Sequence, residues 1–354
     1  MGNELESIAG AFDALLRREQ TIARREEADL GWSPALWRAV TASGFDAVAV
    51  DEARGGAGAG QSALGPVAER AGYHAAPIPV LRANVGALAC ALLGVDAPDW
   101  LVLAADLRHH ANLPASAASL PVIAHPLRRL PWATPCDELF MLLPADAGEA
   151  GIARIPGAAC EVQPGTDVAG EPCADWTPLA PIEMYAAPRA TVRRLCDLLA
   201  VARGSAIVGA ARRVLDLSFA HVRDRRQFGR PIVAFQAVQH ELAELANVIE
   251  QLQAMLDEAY ERADGSDDGH LWSLAVETCA GLAAARAVRT GHQLHGAIGI
   301  TTVYALQRYT RRLMAWRDEG GSEVRAALEL GRSLRGSSPA RVWQVSTAHR
   351  TALA

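Results

Sequence analysis

Small and apolar residues recur at helical spacing from Leu199 to Ala220, through Ala202, Ser205, Ala206, Gly209, Ala210, Val214 and Leu217. That spacing predicts a helix buried on more than one side, with close backbone approach at Gly204 and Gly209. Gly229 and Pro231 interrupt the period, and a second helix is predicted from about Phe235. Before this stretch, Ile8, Phe12, Leu15 and Leu16 make one helical stripe, and Trp32, Leu36, Trp37 and Val40 begin another. Two more apolar helices are expected near Ser62–Ala71 and Leu81–Leu93. From about residue 95 the period changes. Short apolar runs (WLVLAADL, LPVIAHP, ELFMLLPA and GIARIPGAACEVQPG) alternate with proline and glycine, as strands and turns do. Helical spacing returns after about residue 186, with four or five helices and a turn at ADGSDDGH, residues 263–270. A helical bundle is predicted there.

With 354 residues the chain is long enough for one large domain or two to three smaller ones. A net charge of −6 gives no global case for nucleic acid. The six cysteines include no Cys-x-x-Cys pair, which suits reduced thiols better than a zinc site or a disulfide scaffold. No basic segment followed by an apolar one opens the chain, and no apolar run reaches membrane-spanning length by eye, so a cytoplasmic protein is expected.

Candidate chemistry is sparse. Arg223, Arg225, Arg226 and Arg230 cluster at the break after the long helix, beside Phe228. Guanidinium groups there suit a phosphate-bearing partner, although a helix C-terminus favours cations without any ligand. The glycine-rich DEARGGAGAGQS lacks the GKS or GKT ending of a phosphate loop and reads as a connection. His109 and His110 are adjacent but have no third partner at ligand spacing, so no metal is expected.

Two longer blocks point to a family. RRQFGRPIVAFQAVQHELAELA resembles the signature helix-turn-helix of the acyl-CoA dehydrogenases, and GHQLHGAIGITTVYALQRYTRR resembles that family's next signature in the expected order. The resemblance implies a mainly α fold with a central β domain: a helical N-terminal domain (1–94), a shortened β domain (95–185), a C-terminal bundle bearing the dimer surface (186–340) and a tail (341–354). It also implies FAD lying across the dimer surface. Arg225, with Gln227 and Phe228 beside it, matches the family arginine that contacts the cofactor from a neighbouring subunit. Gln293 and the Gly296 turn match contacts to the same half of FAD, although turn glycines need no ligand.

The implied reaction is α,β-desaturation of an acyl-CoA, with electrons passed to an electron-transfer flavoprotein and a link to lipid metabolism. A carboxylate removes the α proton while the flavin takes the β hydrogen as hydride. In AWRDEGGSE, Glu319 is the candidate base and Asp318 the second candidate; both would also serve to cap or solvate the next helix. The family's alternative base position falls near Leu199, where Asp197 is the nearest acid but on another helical face. The first flavin-contacting loop has no recognisable counterpart, its place being taken by ADLRHHANLPASAAS. Trp132 is either a flavin neighbour or a core or edge residue, and Pro131 near it cannot donate a backbone hydrogen bond. Two assemblies stay open: a self-sufficient homodimeric or homotetrameric dehydrogenase, and a non-catalytic or half-site subunit of a heteromer with a related chain. No membrane or nucleic-acid partner is expected.

Overall fold

The computed structural model of the chain describes residues 2–26, 31–95, 102–106, 122–144, 150–319 and 321–335. Four helices come first: α1 (Gly2–Glu26), α2 (Pro34–Ala42), α3 (Leu64–His74) and α4 (Val80–Leu93). Short strands follow, then five helices: α5 (Arg189–Asp224), α6 (Gln236–Arg262), α7 (Asp267–His295), α8 (Leu306–Glu319) and α9 (Ser322–Leu334). The expected arrangement, mainly helical with a central β region, is what the chain adopts. His109, His110 and the other residues of 107–121 lie outside the described residues.

The long helix α5 is the axis of the molecule. Its residues from Val192 to Val214 are buried on nearly every side, because small side chains let α3, α6, α7 and α8 all reach it. At Gly209 an added Cβ would stand 1.9 Å from the Glu69 carbonyl oxygen, and at Gly72 one would stand 2.0 Å from the Ala206 carbonyl oxygen. So α3 and α5 touch backbone to backbone at two reciprocal points, and the expectation at Gly209 holds. Gly204 differs. Its added Cβ would meet the side chains of Val276 at 2.8 Å and Leu256 at 3.1 Å, so the glycine there makes room for side chains of α7 and α6.

A polar bolt joins α5, α7 and α9. His270 donates from Nδ1 to the buried Asp197 carboxylate at 2.8 Å, and its Nε2 stands 3.5 Å from Glu329. Burial alone would lower the His270 pKa, but the hydrogen bonds to Asp197 and Glu329 outweigh it and push the value up to about 9. Asp197 is thus on a different face of α5 from Leu199, as helical phase requires.

The strands between α4 and α5 form three small sheets among the described residues. One has the order β1 (Val102–Asp106), β4 (Glu138–Leu143), β5 (Ala150–Pro156), β9 (Tyr185–Ala187), with β1 and β4 parallel and the other pairs antiparallel. The second joins β3 (Leu127–Pro131), β7 (Pro172–Pro178) and β6 (Cys160–Thr166), and the third pairs β2 (Val122–Ile123) with β8 (Ile182–Glu183). Strand β4 reads as an unbroken apolar run because both its faces are covered. Leu139 and Met141 join the β core with Trp176, while Phe140 and Leu142 join the helical core.

Helix α7 and the turn after it, Asp267–Ile300, is the one stretch among the described residues long and apolar enough to cross a membrane by length and composition. In the fold it is a central bundle helix, packed against α5, α6 and α9.

Candidate active site

A cavity of about 560 Å³, counted to its open mouth, lies where α3, α4, α5, α8 and the β6–β7 turn converge. Its walls are apolar: Ala71, Ala76, Ile78, Pro79, Leu199 and Ala206 line it, with Trp132 and Trp316. Four charged side chains interrupt them, namely Arg82, Arg203, Glu171 and Glu319. Glu319, at the end of α8, is only partly exposed, and its Oε2 lies 3.0 Å from Arg82 and 3.9 Å from Arg203. Arg82 sits in the first turn of α4, where the helix dipole disfavours a cation and no acidic residue is present. The Glu319 carboxylate from across the cavity supplies the opposite charge. Arg203 is also paired with Glu277 of α7.

The β6–β7 turn closes one side. Asp167 Oδ1 accepts hydrogen bonds from the backbone N–H groups of Ala169 and Glu171 at 2.8 and 2.9 Å, and Gly170 takes φ +82° to complete the turn. Glu171 is thereby turned inward and buried. It accepts from Arg312 Nε at 2.7 Å and from Trp316 Nε1 at 3.1 Å. Burial, opposed by the Arg312 charge, pushes its carboxyl up to about 7. Trp132 follows β3 with φ +62°, its N–H donating to the Pro172 carbonyl at 2.6 Å. Its buried indole meets Trp32 edge to face at 6.0 Å. It is therefore both a core residue of the β region and a wall of the cavity.

A second cluster lies at the far end of α5. Arg225 caps the helix, and the β10–β11 hairpin (Arg226–Gln227, Arg230–Pro231) turns through Phe228 at φ +51° and Gly229 at φ +80°. Beside it α7 ends at Gly296, whose φ +60°, ψ −143° only glycine adopts readily. The two helix ends are joined by His221 stacked on His295, ring centroids 4.5 Å apart, with Tyr304 against both. Burial lowers both imidazoles below their ordinary value, so the stack is of neutral rings near neutral pH. Arg225, Gln227, Gln293 and Gly296 are exposed, and Phe228 is 91% exposed. Ile300 and Val303 nearby in sequence are 71% and 94% exposed. A guanidinium, two carboxamides and a glycine-only turn together have the donor chemistry a dinucleotide's phosphates and base require, so this cluster fits half of FAD.

Residues 194–334 match the acyl-CoA dehydrogenase C-terminal domain. The acyl-CoA dehydrogenase IpdE2 of Mycolicibacterium smegmatis is 26% identical over 88% of this chain and 93% of its own length. The chain thus carries a region matching the acyl-CoA dehydrogenase C-terminal domain and is similar over most of its length to an acyl-CoA dehydrogenase. Its fold agrees. A Tcur3481–Tcur3483 steroid ACAD variant superposes with a TM-score of 0.81 at 24% identity, covering 94% of this chain and 98% of that one. The ChsE4–ChsE5 complex from Mycobacterium tuberculosis gives a TM-score of 0.80 at 19% identity, again covering 94% of this chain and 98% of that one.

Within this acyl-CoA dehydrogenase fold the residues singled out from sequence fall into two groups. Glu319 and Trp132 line the cavity together with Leu199. Arg225, Gln227, Phe228, Gln293 and Gly296 gather at the bundle end. Asp318 joins neither: its side chain is exposed and does not line the cavity. Neither Asp318 nor Glu319 caps α9, which begins at Gly321 without a side-chain cap. Sequence reasoning missed Arg82, Arg203, Glu171 and Trp316. Arg82 and Arg203 did carry a signal, each being a lone charge inside an apolar helical run, VLRANVGALACALL and LLAVARGSAIVGAA.

Proposed function

We propose that the chain is an FAD-dependent acyl-CoA dehydrogenase that desaturates an acyl-CoA between its α and β carbons and passes the electrons to an electron-transfer flavoprotein. The observation that carries this reading is Glu319, a carboxylate held at a largely apolar cavity by a residue of α4 and a residue of α5. Apolar walls take the acyl chain and exclude water from the reacting carbons. The Glu319 carboxylate accepts the α proton, and Arg82, 3.0 Å away, fixes the direction from which it does so. A bound FAD would supply the acceptor for the β hydrogen and its electron pair, so that with the α proton on Glu319 a carbon–carbon double bond would remain. Arg225, Gln227 and Gln293 would hold the phosphate and adenine half of that cofactor.

Geometry along α5 supports a shared cofactor site. Arg225 lies 22 positions beyond Arg203, which is about 33 Å at roughly 1.5 Å per residue. On this reading the FAD contacts of one subunit serve a cavity on another subunit. The second reading, a half-site subunit in a heteromer, draws on the double arginine contact to Glu319, which ties up the base. The two-component names of both structural neighbours also support it.

One experiment tests both. The purified chain is examined for flavin absorbance, subunit mass and oxidation of a panel of acyl-CoA thioesters, alongside Glu319→Gln. One FAD per chain and turnover abolished in E319Q supports the self-sufficient enzyme. A colourless chain that takes up no added FAD and oxidises nothing overturns it. Activity restored by a related subunit would then establish the half-site reading.

A further inference from the structure

Glu171 has no part in the reaction as derived above, yet it is among the most buried charged groups in the described structure, at 3% exposure. Both its oxygens are engaged, and both partners lie on α8: Arg312, itself buried, and Trp316. Arg312, Trp316 and Glu319 stand at i, i+4 and i+7, so they share one face of that helix. A third contact runs alongside, from Arg311 Nε to the Val168 carbonyl at 2.6 Å. The β6–β7 turn thus grips α8 at three points, Arg311, Arg312 and Trp316, and the helix emerges from that grip carrying Glu319.

We infer that Glu171 is a positioning residue of this site: by bridging Arg312 and Trp316 it fixes the face of α8 that presents Glu319 to the cavity. This rests on the reading of Glu319 as the base. Ionised, Glu171 holds the guanidinium by charge and the indole N–H by a charge-assisted hydrogen bond. Protonated, it loses the charge attraction to Arg312, and Trp316 and Glu319 lose their fixed register against the cavity. The charged groups that act on it are Arg312 and Glu319 from α8 and Asp167 from its own turn, while burial dominates and brings its ionisation to about pH 7. The grip is therefore set in the alkaline half of the neutral range and relaxed in the acid half.

The test reads Trp316 directly and does not depend on turnover. Fluorescence of the full chain is titrated across the neutral range and compared with Trp316→Phe, the difference isolating Trp316 from the other seven of the eight tryptophans. The expected result is a single step with its midpoint at about pH 7. The step is absent in Glu171→Gln, which keeps an acceptor for the indole but cannot titrate, and it is present with a moved midpoint in Glu171→Asp. A wild-type difference signal with no step overturns the inference. So does a step that persists in E171Q, which would belong to another titrating group. If E171Q does not fold, the wild-type, W316F and E171D titrations still decide. Where turnover is measurable, E171Q is expected to flatten the acid limb of the kcat profile while leaving KM within about twofold. A step in fluorescence without any turnover would leave the positioning role intact and count against the dehydrogenase reading instead.

Discussion

The two ends of α5 are built on opposite principles. At the cavity end every charge has an answer inside the chain: Arg82 meets Glu319, Arg203 meets Glu277, and Arg312 meets Glu171. The frame around them is backbone against backbone, at Gly72 and Gly209. At the other end Arg225, Gln227, Gln293 and Phe228 are exposed, and a Cβ added at Gly229 or Gly296 would meet no atom within 4 Å. Burial demands internal partners, because an unpaired charge there costs several kcal/mol. An exposed cluster carries no such demand and is free to be completed by something else. The chain thus closes one site on itself and leaves the other open.

The largest effect that separates the two ends comes from adding one methyl group at each. Gly209→Ala drives a Cβ into the Glu69 carbonyl and is expected to cost roughly 3 kcal/mol or more in urea unfolding. Gly229→Ala meets no atom but must hold φ +80°, and is expected to cost about 1 kcal/mol. Equal costs would break the comparison.

Close to the cavity end of α5, the Asp197–His270–Glu329 bolt makes stability depend on pH. The folded pKa of His270 is raised from 6.5 to about 9, so its contribution is complete below pH 6.5 and lost as pH rises through about 9. The loss is up to roughly 3 kcal/mol at about 1.4 kcal/mol per pKa unit. Urea titrations at the two ends of that window measure it, and His270→Gln is expected to flatten the dependence.

Arg82→Ala comes next. It leaves Glu319 with Arg203 at 3.9 Å as its remaining partner named here, and is expected to cost roughly 2 kcal/mol, less than a fully buried pair because both groups retain some solvent contact. Adding Glu319→Gln should recover part of that cost, and a double-mutant cycle gives the coupling directly. The smallest effect belongs to the open end. Arg225→Ala and Gln293→Ala are expected to leave unfolding within about 0.5 kcal/mol of the wild type while weakening FAD uptake, measured by flavin titration. A large stability loss at Arg225 would mean that this end, too, is internally closed.

Much of the fold was legible in the sequence because periodicity is a local property. Small residues three and four apart marked α5, and the short apolar run at Glu138–Leu143 marked a strand. The cavity was not legible in the same way. Arg82 and Glu319 are 237 positions apart, and Glu171 reaches α8 only because the β6–β7 turn folds over it. Nothing in the local pattern tells a charge that will be buried by distant elements from one that will face water. Glu319 was found through resemblance, whereas its arginine partners needed the tertiary structure.

Helix α5 also acts as a ruler with a phase. Every residue inserted between Arg203 and Arg225 would lengthen the rod by about 1.5 Å and swing one end about 100° around the axis relative to the other. A single insertion would therefore swing Arg225 and the hairpin after it away from the end of α7 beside them. A full extra turn would restore the direction while leaving the two ends too far apart for whatever spans them. The number of residues in that span is accordingly as constrained as their identity, and length variation in this chain should fall in its loops and strand turns, never in the middle of α5.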